Sequence, residues 1–233
     1  MSEDEISEDT GTDLDLPDVE ALSHRPLLWL WPRKGDQVFA PALEDWYYNA
    51  RVNYLHNRVG LLGFYSDGYK QAADLLVKHA MEHRDALDLL IYPICSHYRH
   101  YLELIMKGLI AKGSRLLKGK YDYSNRHHDL RTLWKQCREL LQKLVDSVTR
   151  EELDAVEETV VQIATVDPRG QAFRYIETKE GTSSIPNSIR HINVRNLMEV
   201  MERVGNFLEG ADGCLFAAIE HDNEMREEEK FLI

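Results

Sequence analysis

The 233 residues carry 28 basic and 40 acidic side chains, a formal net charge of −12, and 43% hydrophobic content. That apolar share is near the average for soluble domains and allows a sizeable core in one large domain, or in one medium domain with extensions. No apolar run reaches the roughly 18–20 residues needed to cross a bilayer, which excludes a helical membrane span from the expected architecture.

Charge is unevenly placed. Residues 1–20 hold nine acidic groups and no basic one, which leaves only −3 on the rest of the chain. Residues 1–22 therefore read as a disordered acidic tail: a solubilising arm on the plain reading, a nucleic-acid mimic covering a basic site on the sharper one. They lack both the basic start and the apolar stretch of a secretory or transit peptide, so a cytoplasmic location is expected. The nearly balanced body permits nucleic-acid binding without advertising it. Cys95, Cys137 and Cys214 are far apart and odd in number, and no CxxC occurs, so neither a disulfide framework nor a zinc knuckle is suggested. Cys95 and Cys137 fall on apolar helix faces and are expected to be small buried hydrophobes.

In chain order, residues 23–64 read as an N-terminal arm and helix. The aromatic-rich stretch 26–39, broken by Pro32 and Gly35, is expected to be irregular, with Trp29 and Trp31 buried on the domain. Leu43, Trp46, Tyr47, Ala50 and Tyr54 fit a helix of about four turns that Gly60 and Gly63 would end. Ser66 reads as the N-cap of the next helix, whose inner face is Tyr69, Ala72, Ala73, Leu76 and Ala80, up to about His83.

Residues 92–112 follow, the stretch that organises the chain. Tyr98, Leu102, Ile105 and Leu109 recur at steps of four, three and four, which lines one face of a helix. Pro93 is expected in the first turn or at a kink, and Gly113 reads as the stop. Residues 114–128 are basic and turn-rich, with Arg115, Lys118, Lys120 and Arg126.

Asp129 can cap a helix with the stripe Leu130, Leu133, Trp134, Cys137, Leu140, Leu141 and Leu144. Thr149 and Glu152 form a capping box, continued by Leu153, Val156, Val160 and Ile163. Residues 167–187 suit a short hairpin or an ordered loop. A last helix is expected from about Asn193 to Glu209, closed by Gly210, followed by a charged tail at 221–233. The sum is all-α: an antiparallel helical bundle of six or seven helices, with its body at residues 65–220.

The common catalytic signatures are missing: no GxxxxGK[ST], GxSxG, HExxH or GxGxxG occurs. His79 and His83 are one helical turn apart, but no third ligand is indicated, and no metal or cofactor is expected. Three polar groups stand out. Arg99, His100, Glu103 and Lys107 share one region of the central helix; plainly read, they form an exposed face with i,i+4 ion pairs worth about 0.2–0.5 kcal/mol each. His127, His128 and Asp129 sit at a helix start, where capping is the plain reading. Phe173, Arg174 and Tyr175 lie in the loop, and His191 and Arg195 are four apart.

The run RHYLELIMKGLI at 99–110, HHDLRTLW from 127 and AFRY at 172–175 together resemble the HEPN superfamily of prokaryotic helical bundles. GYKQAADLLVKH, DPRGQAFRY and INVRNLMEVM narrow the resemblance to bacterial HEPN-like proteins and extend it over about residues 65–215. Members of this superfamily recur in toxin–antitoxin and anti-phage systems. The resemblance implies a homodimer, and in many members a metal-independent ribonuclease built from an Arg, a polar residue and a His four to six residues beyond. Arg195-Asn196 is the nearest equivalent, but Val200, Met201 and Glu202 occupy the histidine positions, so that motif is broken. Arg51 and His56 match the spacing alone, with Val52 where the polar residue belongs.

The expected function is thus a non-classical or non-catalytic HEPN-like protein. It would bind nucleic acid, nucleotide or a protein partner through Arg99, Glu103, Lys107, His128, Asp129, Arg174, Tyr175, Arg195 and Asn196, without membrane association. The alternative is a metal-independent endoribonuclease, with His128 or His100 as base and Arg99 or Arg174 stabilising the phosphorane. A structural subunit of a larger assembly is the third reading. The first two require these distant segments to meet in one hollow.

Overall fold

A computed structural model of the chain describes residues 31–32, 34–35, 38–39, 46–52, 57–118 and 128–231. The chain divides into two compact units, Met1–Val52 and Asn53–Ile233. In the first, the expected four-turn helix is not seen: Trp46–Tyr48 forms a single 3-10 turn and residues 49–52 are not helical. The reason is visible in Trp46 and Tyr48, whose side chains are exposed, so no apolar face is buried to stabilise a longer helix. Trp31, expected to be buried, is 72% exposed. Trp29, Leu43, Tyr54, His56, His127 and the acidic tail lie outside the described residues.

The described residues of the second unit form five α-helices: α1 (Arg58–Glu82), α2 (Leu87–Leu116), α3 (Leu130–Leu144), α4 (Arg150–Val166) and α5 (Val194–Phe231). No strand occurs among the described residues. The segment after α4 is an ordered loop with a lone bridge between Glu177 and Ser183. The all-α expectation holds, and among the described residues no helix is long and apolar enough to cross a membrane.

Helix α2 is the hub. It packs against α1, α3 and α5, while α4 covers α3 and α5. Every residue from 101 to 111 is buried, so its central three turns are shielded from bulk solvent. Tyr98, Leu102 and Leu109, read from the spacing as one face, are fully buried in the core with Leu133, Leu141 and Leu208. Each such side chain contributes about 1.5–3 kcal/mol of burial. Cys95 and Cys137 are buried as expected.

Local signals were read correctly where the partner is close in sequence. The Asp129 carboxylate accepts from the Arg131 and Thr132 amides, and the reciprocal Thr149–Glu152 box starts α4. Helix ends assigned to glycine were not. Asn57, not Ser66, caps α1, and Gly60, Gly63 and Ser66 all lie within that helix. Pro93 sits inside α2, at its seventh residue, and the carbonyl it leaves unpaired belongs to exposed Leu89, where water can serve. Gly113 does not stop α2 either. A Cβ there would stand 3.2 Å from both methyl carbons of Leu140, so the glycine permits a close crossing with α3. Gly210 lies within α5, because Ala211, Leu215 and Ile219 carry the buried stripe onward; the expected tail at 221–233 is helical through Phe231.

These two glycines make opposite predictions. Gly210 faces open space in a continuing helix, so Gly210→Ala should raise the unfolding free energy by about 0.5–1 kcal/mol. Gly113→Ala presses on Leu140, which is 1% exposed and packed in the core, and should lower it. Urea unfolding of the two variants checks both signs, and a loss at Gly210 would mean that α5 ends there.

Candidate functional site

On α2, Arg99, Glu103 and Lys107 are spaced one turn apart and project towards the start of α3 and the end of α4. The exposed face expected for them is not what the fold makes. Their side chains are each only 3% exposed. The i,i+4 pairing is present, but inside the protein. Arg99 Nη1 donates to Glu103 Oε2 at 2.7 Å, and Lys107 Nζ donates to Glu103 Oε1 at 2.7 Å.

Two distant segments complete the network. The Nδ1 of His128, just before α3, lies 2.8 Å from Glu103 Oε1, while the imidazole stays 58% exposed. Arg99 Nη2 donates to the His128 carbonyl at 2.6 Å. Its Nε donates to the Asp167 carbonyl at 3.2 Å and lies 3.6 Å from Asp167 Oδ2, at the end of α4. Two cations and two carboxylates thus balance in a dry setting, where an unpaired charge would be costly. Burial works against the Glu103 carboxylate, but hydrogen bonds from Lys107, Arg99 and His128 outweigh it and hold its pKa at about 2.

Asp167 also organises the loop that follows. Its Oδ1 accepts from the amides of Gln171 at 2.7 Å and Ala172 at 3.0 Å. Gly170 is required twice over. Its φ is +70°, and a Cβ would fall 2.9 Å from the Arg99 guanidinium carbon. Arg174 Nε in turn donates to the Gly170 carbonyl at 2.6 Å. The Arg174 guanidinium is exposed beside the Tyr175 ring, 6.0 Å from its centroid.

Half-buried His100 meets Tyr69 edge-on, 4.4 Å between ring centroids. Burial lowers its pKa, and the charges of Arg99, Lys107 and Arg174 add to that effect against the pull of Glu103. It is a neutral imidazole near pH 7.

Arg99, Glu103, Lys107 and His128 therefore meet, with Arg174 tied to the loop that touches Arg99. They meet as a packed network and line neither of the two cavities of this unit described below. Asp129 is spent on capping α3. Arg195 and Asn196 occupy the first turn of α5, both exposed and away from the network, where the Asn196 amide is capped by Asn193. Arg51 belongs to the other unit. His79 and His83 are exposed and stacked at 4.3 Å, and among the described residues no three His, Cys, Asp or Glu converge as metal ligands.

A groove of about 900 Å³ opens between α4, α5 and the loop joining them. Val156, Ile163, Phe173, Met201 and Phe207 supply apolar walls. Glu152, His191, Asn193, Asn196 and Arg203 supply polar groups. Cys95 lines it too, but burial, with the nearby Asp167 charge adding, pushes its thiol up to about 12, so it is not a nucleophile. Sequence reading missed Asp167, Gly170 and most of this groove. The Asp-Pro-Arg-Gly run at 167–170 signals a turn, but not what the turn holds. Comparison with family models, curated proteins and solved structures finds no match for this chain.

Two measurements check the network. Glu103→Gln leaves Arg99 and Lys107 buried with too little negative charge and should cost about 3–5 kcal/mol in urea unfolding. The folded Glu103 carboxyl titrates below its ordinary 4.5, so its stabilisation is full above that pH and fades as pH falls towards 2. The wild type should lose roughly 3 kcal/mol from this group across that window, and Glu103→Gln should flatten the slope. Separately, Gly170→Ala should cost about 1–3 kcal/mol from backbone strain alone. An unchanged midpoint in thermal melts would show that the Arg99–Gly170 contact is not tight.

Proposed function

We propose that this chain is a non-catalytic, HEPN-like helical module that binds nucleic acid or nucleotide in the groove between α4 and α5. The observation that carries this reading is the composition of that groove. Cavities of this size with mostly apolar walls and a few convergent polar groups are the usual form of a ligand site. Phe173 and the aliphatic walls suit a base, and the Asn193 and Asn196 amides suit its polar edge.

The surrounding segment supplies charge for phosphate. Residues 168–195 contain five basic side chains (Arg169, Arg174, Lys179, Arg190 and Arg195) against Glu177 and Glu180, in a chain that is otherwise acidic. Arg203 lines the groove itself. Arg99, by contrast, is poorly placed to meet a phosphorane: its side chain is 3% exposed, and Nε, Nη1 and Nη2 each donate to a partner inside the protein. That engagement, with the broken Arg195-Asn196 motif, weighs against catalysis.

One observation favours a second reading. Glu103 and His128 form a carboxylate–imidazole pair with the ring half outside, the arrangement of a general base held in orientation. On this reading the chain is a metal-independent endoribonuclease with His128 as the base.

Fluorescence anisotropy with labelled single-stranded RNA, in EDTA and across a salt series, separates the two. Binding should weaken with salt and leave the RNA intact. Phe173→Ala and Arg203→Glu should each raise Kd about tenfold or more, the scale of one lost stacking or phosphate contact. Cleavage abolished by His128→Ala would transfer the case to the endoribonuclease. Absence of binding at low salt would remove both.

A further inference from the structure

A second cavity, of about 380 Å³, is walled by α1, α2 and α5 and shares no residue with the groove. Its lining is charged: Asp67 and Lys70 from α1, Lys112 from α2, and Glu209 and Asp212 from α5.

Three observations set it apart from an ordinary surface ion cluster. The first is Ser66, which lines it at 1% exposure. Its hydroxyl has no hydrogen-bond partner among the described residues. A helical hydroxyl can return to the carbonyl one turn back, as that of exposed Thr165 does to Val161 at 2.6 Å. Ser66 does not, and a buried hydroxyl whose oxygen neither accepts nor donates a hydrogen bond is unfavourable.

The second is empty space beside a buried helix. Gly108 is buried in α2 and Gly63 lies in α1. A Cβ on either would meet nothing within 4 Å. Alanine would fit both positions and favour helix more, so neither glycine is demanded by packing.

The third is charge left over after the internal pairs are made. Lys112 Nζ is held by Asp212 Oδ2 at 2.6 Å, and Lys70 Nζ by Asp74 Oδ2 at 3.2 Å. Glu209 Oε1 accepts the Tyr101 hydroxyl at 3.1 Å. The Asp67 carboxylate has no hydrogen bond or ion pair among the described residues. Partial burial raises its pKa, and the Asp212 charge raises it further, against the smaller opposing effects of Lys112 and Lys70. Both cations are already matched, so an anion would face a net negative wall.

We infer that this cavity binds a short aliphatic amine, its ammonium hydrogen-bonded to the Ser66 hydroxyl and the Asp67 carboxylate and its carbon chain lying on Leu104 and Ile105. An ammonium group offers three donors, which suits two neighbouring acceptors on α1 with the carboxylates of Glu209 and Asp212 lining the same cavity from α5. A bare metal ion suits the cavity less, because no three acidic or imidazole side chains among the described residues are placed to ligate one. The open space next to Gly108 then has a purpose: it is the room the carbon chain occupies.

The test is isothermal titration of the full chain with 1,4-diaminobutane, alongside glutarate and magnesium chloride. Saturable binding of the diamine alone is expected. Asp67→Asn, at an exposed position that leaves the fold intact, should weaken it about tenfold or more, and Ser66→Ala several-fold. Gly108→Leu should abolish binding by filling the chain's space. Should that variant fail to fold, Gly108→Ala serves in its place, with a thermal midpoint raised by roughly 2–4 °C and weakened binding. Absence of saturable diamine binding, equal binding by Asp67→Asn, or tighter binding of glutarate or magnesium would each overturn the assignment.

Discussion

Placing two cations one turn either side of a carboxylate, inside a helix whose centre is shielded from bulk solvent, is the constraint around which this bundle is built. Glu103, with Asp167 beside it, balances Arg99 and Lys107 where water cannot, and that neutrality lets the centre of α2 be buried at all. The rest of the guanidinium then acts as a fastener. It reaches a main-chain carbonyl at the start of α3 and another at the end of α4, so one side chain fixes two elements that lie 29 and 68 residues away. Apolar burial supplies most of the stability, but it is non-directional. The ion network specifies where α3 begins and where α4 stops.

This arrangement shapes the functional reading. The residues that look most chemical in the sequence are the ones most thoroughly used by the fold. Arg99 and Lys107 are held in place with their charge matched. The groups left for a ligand are the half-exposed His128, the loop cations and the walls of the groove. Loop 167–175 connects the two regions, since Asp167 holds the Ala172 amide while Phe173 turns into the groove.

Legibility in the sequence followed the distance over which each interaction acts. The Asp129 cap, the Thr149–Glu152 box and the α3 stripe depend on neighbours within a few residues, and all could be read directly. Arg99, Glu103 and Lys107 show an i,i+4 charge pattern that is the same whether the helix is wet or dry, so burial could not be read from it. Asp167 carries no local mark of its contact with Arg99. The glycines misled in a consistent way: Gly60, Gly63, Gly113 and Gly210 carry a stop signal that tertiary packing overrides in α1, α2 and α5.

Helix α5 changes character along its length. Through Ile219 it presents buried residues to the bundle, and Arg115 of α2 still holds Asn223 at 2.5 Å. Beyond that point its described side chains are exposed and mostly charged, with Glu224, Glu227 and Glu228 against Arg226 and Lys230. One unbroken rod therefore has a clamped half and a half sustained by its own backbone. Such terminal turns are free to open without global unfolding, and amide protection is expected to decay outward from Asn223 within a single continuous element.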